Sequence, residues 1–175
     1  MKIAYADPPY PGSAKRHYGS QEVSHQILVQ GLIDNFDGWA LSTGSKDLWA
    51  ILPLCPEKVR VCAWTKPYNS MHSNTAPIYA WEPLIVMPAR TGRRSPFFIK
   101  DYIESKPPIF DRGMKCSSSL HGQKPKDFYF WMFKMLGATP ADEYTDLFPG
   151  TGNGDRYWKE FRAQKSILGF EKGAL

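Results

Sequence analysis

Glu143-Tyr144-Thr145-Asp146-Leu147-Phe148-Pro149-Gly150-Thr151-Gly152-Asn153-Gly154 decides the fold. Residues 143–148, mixing aromatic, β-branched and apolar side chains, read as a strand. Residues 149–154 are a loop whose glycines let the backbone approach a ligand closely. Residues 155–163 read as a helix, and Ile167-Leu168-Gly169-Phe170 predicts one more strand with Glu171 at its end. Glu171 follows Gly150 by about the 20 residues that put an acidic side chain on a ribose hydroxyl in a nucleotide-binding βαβ unit. A linker turn would explain the glycines alone, but not this order of strand, loop, helix, strand and acid. No Gly-Lys-Ser/Thr follows, which disfavours a phosphate-cradling loop.

Working outward, Tyr129, Phe133 and Leu136 recur at helical spacing from Lys126 to Leu136, and Gly137 ends that helix. Upstream, Pro83–Met87, Val59–Trp64 and the short Trp39–Ser42 read as strands. The last runs into a small-residue loop, Thr43-Gly44-Ser45, and 46–52 reads as a short helix stopped before Pro53. Val23, Ile27, Leu28 and Leu32 form a near-helical stripe with Ser20 as its cap. Trp64 and Trp81 read as packing residues, since aromatics dominate cores. Strands alternating with helices predict a three-layer α/β sandwich with a mostly parallel sheet.

The other end of the chain carries Asp7-Pro8-Pro9-Tyr10 after the apolar run 1–6. Two prolines fix φ and remove two backbone donors, so the Asp7 and Pro8 carbonyls can face outward as acceptors. Such a rim suits an exocyclic amine on a planar base, whose lone pair is delocalised into the ring. Accepting both amine hydrogens, one on the Asp7 carboxylate and one on the Pro8 carbonyl, favours a pyramidal nitrogen able to attack, and Tyr10 could stack on the base. Taken alone, the tetrapeptide is equally an Asx turn closing a strand.

At 175 residues the chain suits one domain, and 42% hydrophobic with 22% charged residues places it among globular proteins. No segment reaches the ~20 apolar residues of a membrane span, so a cytoplasmic protein is expected. Cys55, Cys62 and Cys116 are odd in number and lack metal-ligand spacing, as do the four histidines, so reduced thiols and no metal are expected. The net charge of +5 is concentrated. From Arg90 to Lys126 nine basic residues face three acidic ones, a local excess larger than that of the whole chain. Phe97, Phe98, Tyr102 and Phe110 stand among those cations. This suits a nucleic-acid groove, with Arg90, Arg93, Arg94, Lys100, Arg112 and Lys115 as candidate phosphate contacts; a small hydrophobic subdomain with a solvated face is the alternative.

The two motifs together resemble a known family. Asp7-Pro8-Pro9-Tyr10 is similar to the catalytic motif of the amino-methyltransferases that modify adenine N6 in DNA, and 146–152 resembles their S-adenosylmethionine (SAM) motif. Catalytic motif first and cofactor motif last resembles the permuted class, in which a target-recognition segment lies between them. The resemblance implies a Rossmann-like methyltransferase sheet in a single domain, 1–175, with 90–120 as a small inserted recognition segment. It implies SAM as cofactor and DNA as partner. Asp7, Pro8, Pro9 and Tyr10 would form the catalytic corner. Asp7, Lys124, Pro125, Asp146, Phe148, Gly150, Gly152 and Glu171 would line the cofactor, with Asp146 at its amino-acid end, Glu171 at its ribose and Lys124-Pro125 opening a flanking helix. The chain stops soon after Glu171, so a sheet truncated at its C-terminal edge is expected, with that edge open or used in a homodimer. RNA adenine methyltransferases carry a similar tetrapeptide usually ending in Trp, and cytosine-N4 enzymes commonly begin theirs with Ser; Tyr10 and Asp7 differ from each. A methyltransferase fold that only binds nucleic acid would keep the basic surface without needing either motif.

Overall fold

The structure, a computed structural model, describes residues 1–12, 22–67, 79–90, 99–106 and 123–167. The apolar opening run forms β1 (Lys2–Ala6), buried after its first residue. Helix α1 (His25–Asn35) is capped by Ser24, whose hydroxyl accepts the Ile27 amide at 3.4 Å, and not by Ser20. Starting there, the helix turns Val29 and Leu32 inward with Leu28 and Phe36 beside them. Ile27 stands roughly 200° around the axis from Val29, and it points to solvent at 74% exposure, against the expected stripe.

Strand β2 (Gly38–Ser42) is buried throughout. A 3-10 turn leads into α2 (Leu48–Ile51), and Pro53 falls in a second 3-10 turn, so the helix stops where the proline requires. Strands β3 (Arg60–Thr65) and β4 (Trp81–Met87) follow. Strand β5 (Tyr102–Glu104), which the sequence did not suggest, is a short, exposed edge strand inside the basic segment. Helix α3 (Lys126–Met135) buries Tyr129, Phe133 and Leu136 as their spacing requires. Strand β6 (Glu143–Asp146) is shorter than expected, and helix α4 (Asn153–Ile167) is longer. It runs through Ile167, so no strand opens at that residue; Glu171 and the rest of that expected strand lie outside the described residues.

The sheet has the order β5-β3-β4-β2-β1-β6. Strand β1 pairs in parallel with both β2 and β6, β3 pairs in parallel with β5, and β4 runs antiparallel to β2 and β3. The result is the expected mostly parallel α/β sandwich. On one face Ile3, Tyr5, Ala40, Trp64, Leu84 and Val86 pack against α3 and α4. There Phe133 meets the Tyr144 ring at 5.2 Å and 87° and the Trp158 ring at 5.0 Å. On the other face Ala4, Ala6, Trp39, Leu41 and Ile85 pack against α1 and α2. Alternation along β1 and β2 thus feeds two cores, the pattern of a sheet covered on both sides.

The lower edge of the sheet, where β1 and β6 begin, is tied by one carboxylate. Asp142, its side chain 1% exposed, accepts from Arg90 at 2.7 and 2.6 Å, from the Thr139 amide at 2.7 Å and hydroxyl at 3.1 Å, and from the N-terminal amine at 3.1 Å. Arg90, a candidate phosphate contact in the sequence, is therefore committed to a clamp. Strand β1 separates it from Asp7 at the opposite edge.

Candidate active site

Parallel strands deliver their C-terminal ends to one edge of a sheet, and ligands bind in the crevice outside that edge. Here the edge collects Asp7 after β1, Thr43 and Gly44 after β2, Lys66 after β3 and the glycine loop after β6. Tyr5 stands in register with Asp146, and the Leu147 amide donates to the Tyr5 carbonyl at 2.9 Å. The proline corner and the glycine loop, more than 130 residues apart in the chain, are therefore neighbours on adjacent strands.

Asp146 accepts the Phe148 amide at 3.1 Å, which turns the chain away from the strand. Gly150 and Gly152 take φ of 49° and 75°, the left-handed region that glycine adopts without steric penalty. Gly154 sits under Asp146; a Cβ there would stand 2.1 Å from Asp146 Oδ2 and 2.8 Å from the Tyr144 hydroxyl. Helix α4 starts directly beneath the carboxylate for that reason. Burial, with Asp155 and Asp7 nearby, outweighs the Phe148 amide and raises the Asp146 pKa to about 6. Phe148 packs against the α1 face of the sheet.

Asp7 faces Lys124 rather than open solvent. Lys124 Nζ lies 2.8 Å from Asp7 Oδ2 and 3.3 Å from Glu82 Oε2, and the lysine side chain is 3% exposed. Glu82 also pairs with Lys66 and accepts the Tyr10 hydroxyl at 3.0 Å. Beneath this network the Trp64 ring centroid lies 5.6 Å from Lys124 Nζ, with the Trp64 indole held by Ser105 at 2.9 Å. Burial raises the Asp7 pKa, Lys124 opposes that rise, and Glu82 adds to it. Burial would push the Lys124 ammonium down, but Asp7 and Glu82 outweigh it and hold the group charged. Glu82 stays ionised because Lys124, Lys66 and Tyr10 outweigh its burial.

Beside Tyr10, Gly44 lets the Asp47 carboxylate fold over the backbone. A Cβ at Gly44 would stand 2.6 Å from Asp47 Oδ2 and 3.4 Å from Tyr10 Cδ2. Thr43 Oγ1 and Asp47 Oδ2 are buried there without hydrogen-bond partners among the described residues. A buried polar atom left unpaired costs about 1–3 kcal/mol, so such atoms mark places that a ligand or water completes.

Of the residues singled out in the sequence, Asp7, Pro8, Pro9, Tyr10, Lys124, Pro125, Asp146, Phe148, Gly150 and Gly152 gather at this edge. Pro125 is the N-cap residue of α3, so Lys124 stands just ahead of the helix. Lys100 lies away from it, exposed beside Tyr102, with its ammonium 3.2 Å from that hydroxyl. Arg93, Arg94, Arg112, Lys115 and Glu171 lie outside the described residues. Glu82 and Lys66 were missed. A carboxylate at the start of the otherwise apolar run 83–87 was the available signal.

The architecture is similar to a methyltransferase fold. The crystal structure of the M1.HpyAVI–SAM complex matches it with a TM-score of 0.60 at 13% identity, over 93% of this chain and 78% of that one. The crystal structure of M1.HpyAVI matches with a TM-score of 0.55, again at 13% identity, over 93% and 77%. At that identity the likeness is one of fold. No protein-family model matches the chain, and no curated protein matches it in sequence.

Proposed function

We propose that the chain is a SAM-dependent methyltransferase acting on the N6 amine of adenine in DNA. The observation that carries this reading is the register of β1 with β6, which sets the amine-accepting corner beside the glycine loop. The fold it shares with M1.HpyAVI, which was crystallised with SAM, supports the choice of cofactor.

The residues present fit that cofactor. Gly152 has open space where a Cβ would stand, and Asp146, over Gly154, presents a carboxylate for the amino-acid end. Phe148, Gly150 and Lys124-Pro125 complete the lining, and Glu171 is the proposed ribose contact. Bound SAM supplies an electrophilic methyl group on sulfur. The chain's own part is to prepare the nucleophile. Asp7 and the Pro8 carbonyl accept the two amine hydrogens, which concentrates the nitrogen lone pair toward the cofactor side. Tyr10, its hydroxyl anchored on Glu82, offers a fixed ring face to the base; such stacking is worth about 1–3 kcal/mol per base in single-strand binders. Thr43 and Asp47 supply polar atoms for the rest of the nucleotide. Since a base inside a duplex cannot reach the edge, the target is extruded at a cost of a few kcal/mol or taken from a single strand. Basic residues of the 90–120 segment would hold phosphates, although Arg90 is spent on Asp142.

Incubating the chain with methyl-labelled SAM and adenine-only or cytosine-only oligonucleotides, as DNA and as RNA, then digesting to nucleosides for mass spectrometry, tests the reading. N6-methyladenine from DNA is the expected product. Label in cytosine, or in RNA alone, would move the target, and no label in any of the four would remove the activity.

The state of Asp146 gives a second test. With its pKa near 6, the carboxylate is ionised at pH 7.5 and takes up a proton as pH falls through 6. SAM affinity, measured by calorimetry, is expected to fall below about pH 6, and Asp146→Asn to flatten that dependence. An identical pH profile in the variant would remove Asp146 from the cofactor's amino end.

A further inference from the structure

Glu82 takes no direct part in the reaction described above, yet the groups of the proline corner converge on it. It lies at the start of β4, the antiparallel strand, so it meets the active edge from a strand's beginning while Asp7 and Asp146 meet it from strand ends. One of its oxygens, Oε2, receives the Tyr10 hydroxyl at 3.0 Å and faces Lys124 Nζ at 3.3 Å; the other pairs with Lys66. Lys124 in turn holds Asp7 Oδ2 at 2.8 Å.

We propose that Glu82 is a positioning residue for the amine-accepting corner: one carboxylate sets the Tyr10 ring through its hydroxyl and Asp7 through Lys124. The inference rests on the reading of Asp7 and Tyr10 given above.

Among the described residues two cations and two carboxylates meet in this network, and a lysine as buried as Lys124 requires such pairing, because a buried charge is stable only when paired. With Oδ2 engaged by Lys124, Asp7 has Oδ1 to offer an amine hydrogen. Shared between two carboxylates, the ammonium keeps Asp7 ionised without being drawn wholly onto it. Remove Glu82 and the Lys124 ammonium shifts its pairing toward Asp7, where it competes with the incoming amine, while Tyr10 loses that anchor. Among the described residues the charged and titratable groups facing Asp7 are Lys124 ahead of α3, Glu82 on β4, Asp146 at the end of β6, Tyr5 on β1 and Tyr129 on α3. Lys124 favours the ionised form of Asp7 and Glu82 opposes it.

The test uses the full chain with Glu82→Gln, Glu82→Ala and Lys124→Met, and two readouts. One is the titration midpoint of the Asp7 carboxyl by carbon NMR; the other is methyl-transfer kinetics on an adenine-containing DNA oligonucleotide. Lys124→Met is expected to raise the Asp7 midpoint by on the order of one pH unit, and Glu82→Gln to lower it. Glu82→Ala is expected to raise KM for DNA and lower kcat, each by about tenfold, whereas Glu82→Gln, whose amide oxygen still accepts from Tyr10, recovers KM but not kcat. The near-isosteric Gln variant keeps the test valid if the Ala variant fails to fold. An Asp7 midpoint that stays put in both Lys124→Met and Glu82→Gln, with the Gln variant turning over as the parent does, would overturn the proposal. Shifted midpoints in a chain that transfers no methyl group would support the coupling and overturn the methyl-transfer reading, so the two failures are told apart.

Discussion

An Asp7→Ala chain is expected to lose methyl transfer by about 10²–10³-fold or more while SAM still binds, because preorganised hydrogen-bonding groups aimed at developing charge are usually the largest catalytic term. Asp7 stands one residue past β1 and directly precedes Pro8 and Pro9. Without it one amine hydrogen has no acceptor, and the nitrogen lone pair stays delocalised in the ring. The fold should survive the change, since Lys124 keeps Glu82 at 3.3 Å and the β1 pairings use backbone atoms. Labelled methyl incorporation measures the loss and calorimetry measures the remaining affinity. Turnover within tenfold of the parent would mean that Asp7 does not grip the amine.

Asp142→Ala is expected to cost about 3 kcal/mol of stability, the low end for breaking a buried ion pair, because Arg90 keeps access to solvent and its bond to the Gly137 carbonyl. Five hydrogen bonds end on that carboxylate, and they join the start of β1, the loop before β6 and the segment after β4. For a chain of this size the loss corresponds to a fall in Tm on the order of 10 °C. The effect depends on pH. Burial opposes the charge on Asp142, but the Arg90 guanidinium, the Thr139 groups and the terminal amine outweigh it and hold the carboxyl well below its ordinary range. A depressed folded pKa gives stability that is present above the unfolded value and lost as pH falls. The gap between parent and variant should therefore be full at pH 7 and narrow below about pH 4. Calorimetric melts at both pH values check it. A Tm gap that is equal at both would mean that the carboxylate's charge contributes nothing to the clamp.

The fold was largely legible in the sequence because its core strands are short and apolar. Residues 1–6, 39–42 and 83–87 name their strands by composition alone, and Tyr129, Phe133 and Leu136 name the buried face of α3. What went unread follows from physics that acts outside the local window. Direction is one example: nothing in 81–87 says that β4 runs against its neighbours, because a strand buried on both faces is apolar whichever way it points. Strand β5 was hidden among charges because an edge strand has one neighbour and a wet face. At α1 the inferred stripe was right at Leu28 and Leu32 and wrong at Val23, which precedes the Ser24 cap, and at Ile27, which faces solvent. The candidate site divides in the same way. Asp7 and the glycine loop could be found because each is a local string. The Lys124 contact with Asp7 spans 117 residues and the Tyr10 contact with Glu82 spans 72, and no local pattern encodes either.

The interior place of β1 has a consequence for biosynthesis. Strand β1 is an interior strand whose partner on one side, residues 143–146, is made more than 130 residues later. Until that partner emerges, the nascent chain carries an exposed hydrophobic strand edge that other polypeptides can pair with. Completion of this pairing and of the candidate site are therefore one event, and a chaperone holding β1 during translation would act on both.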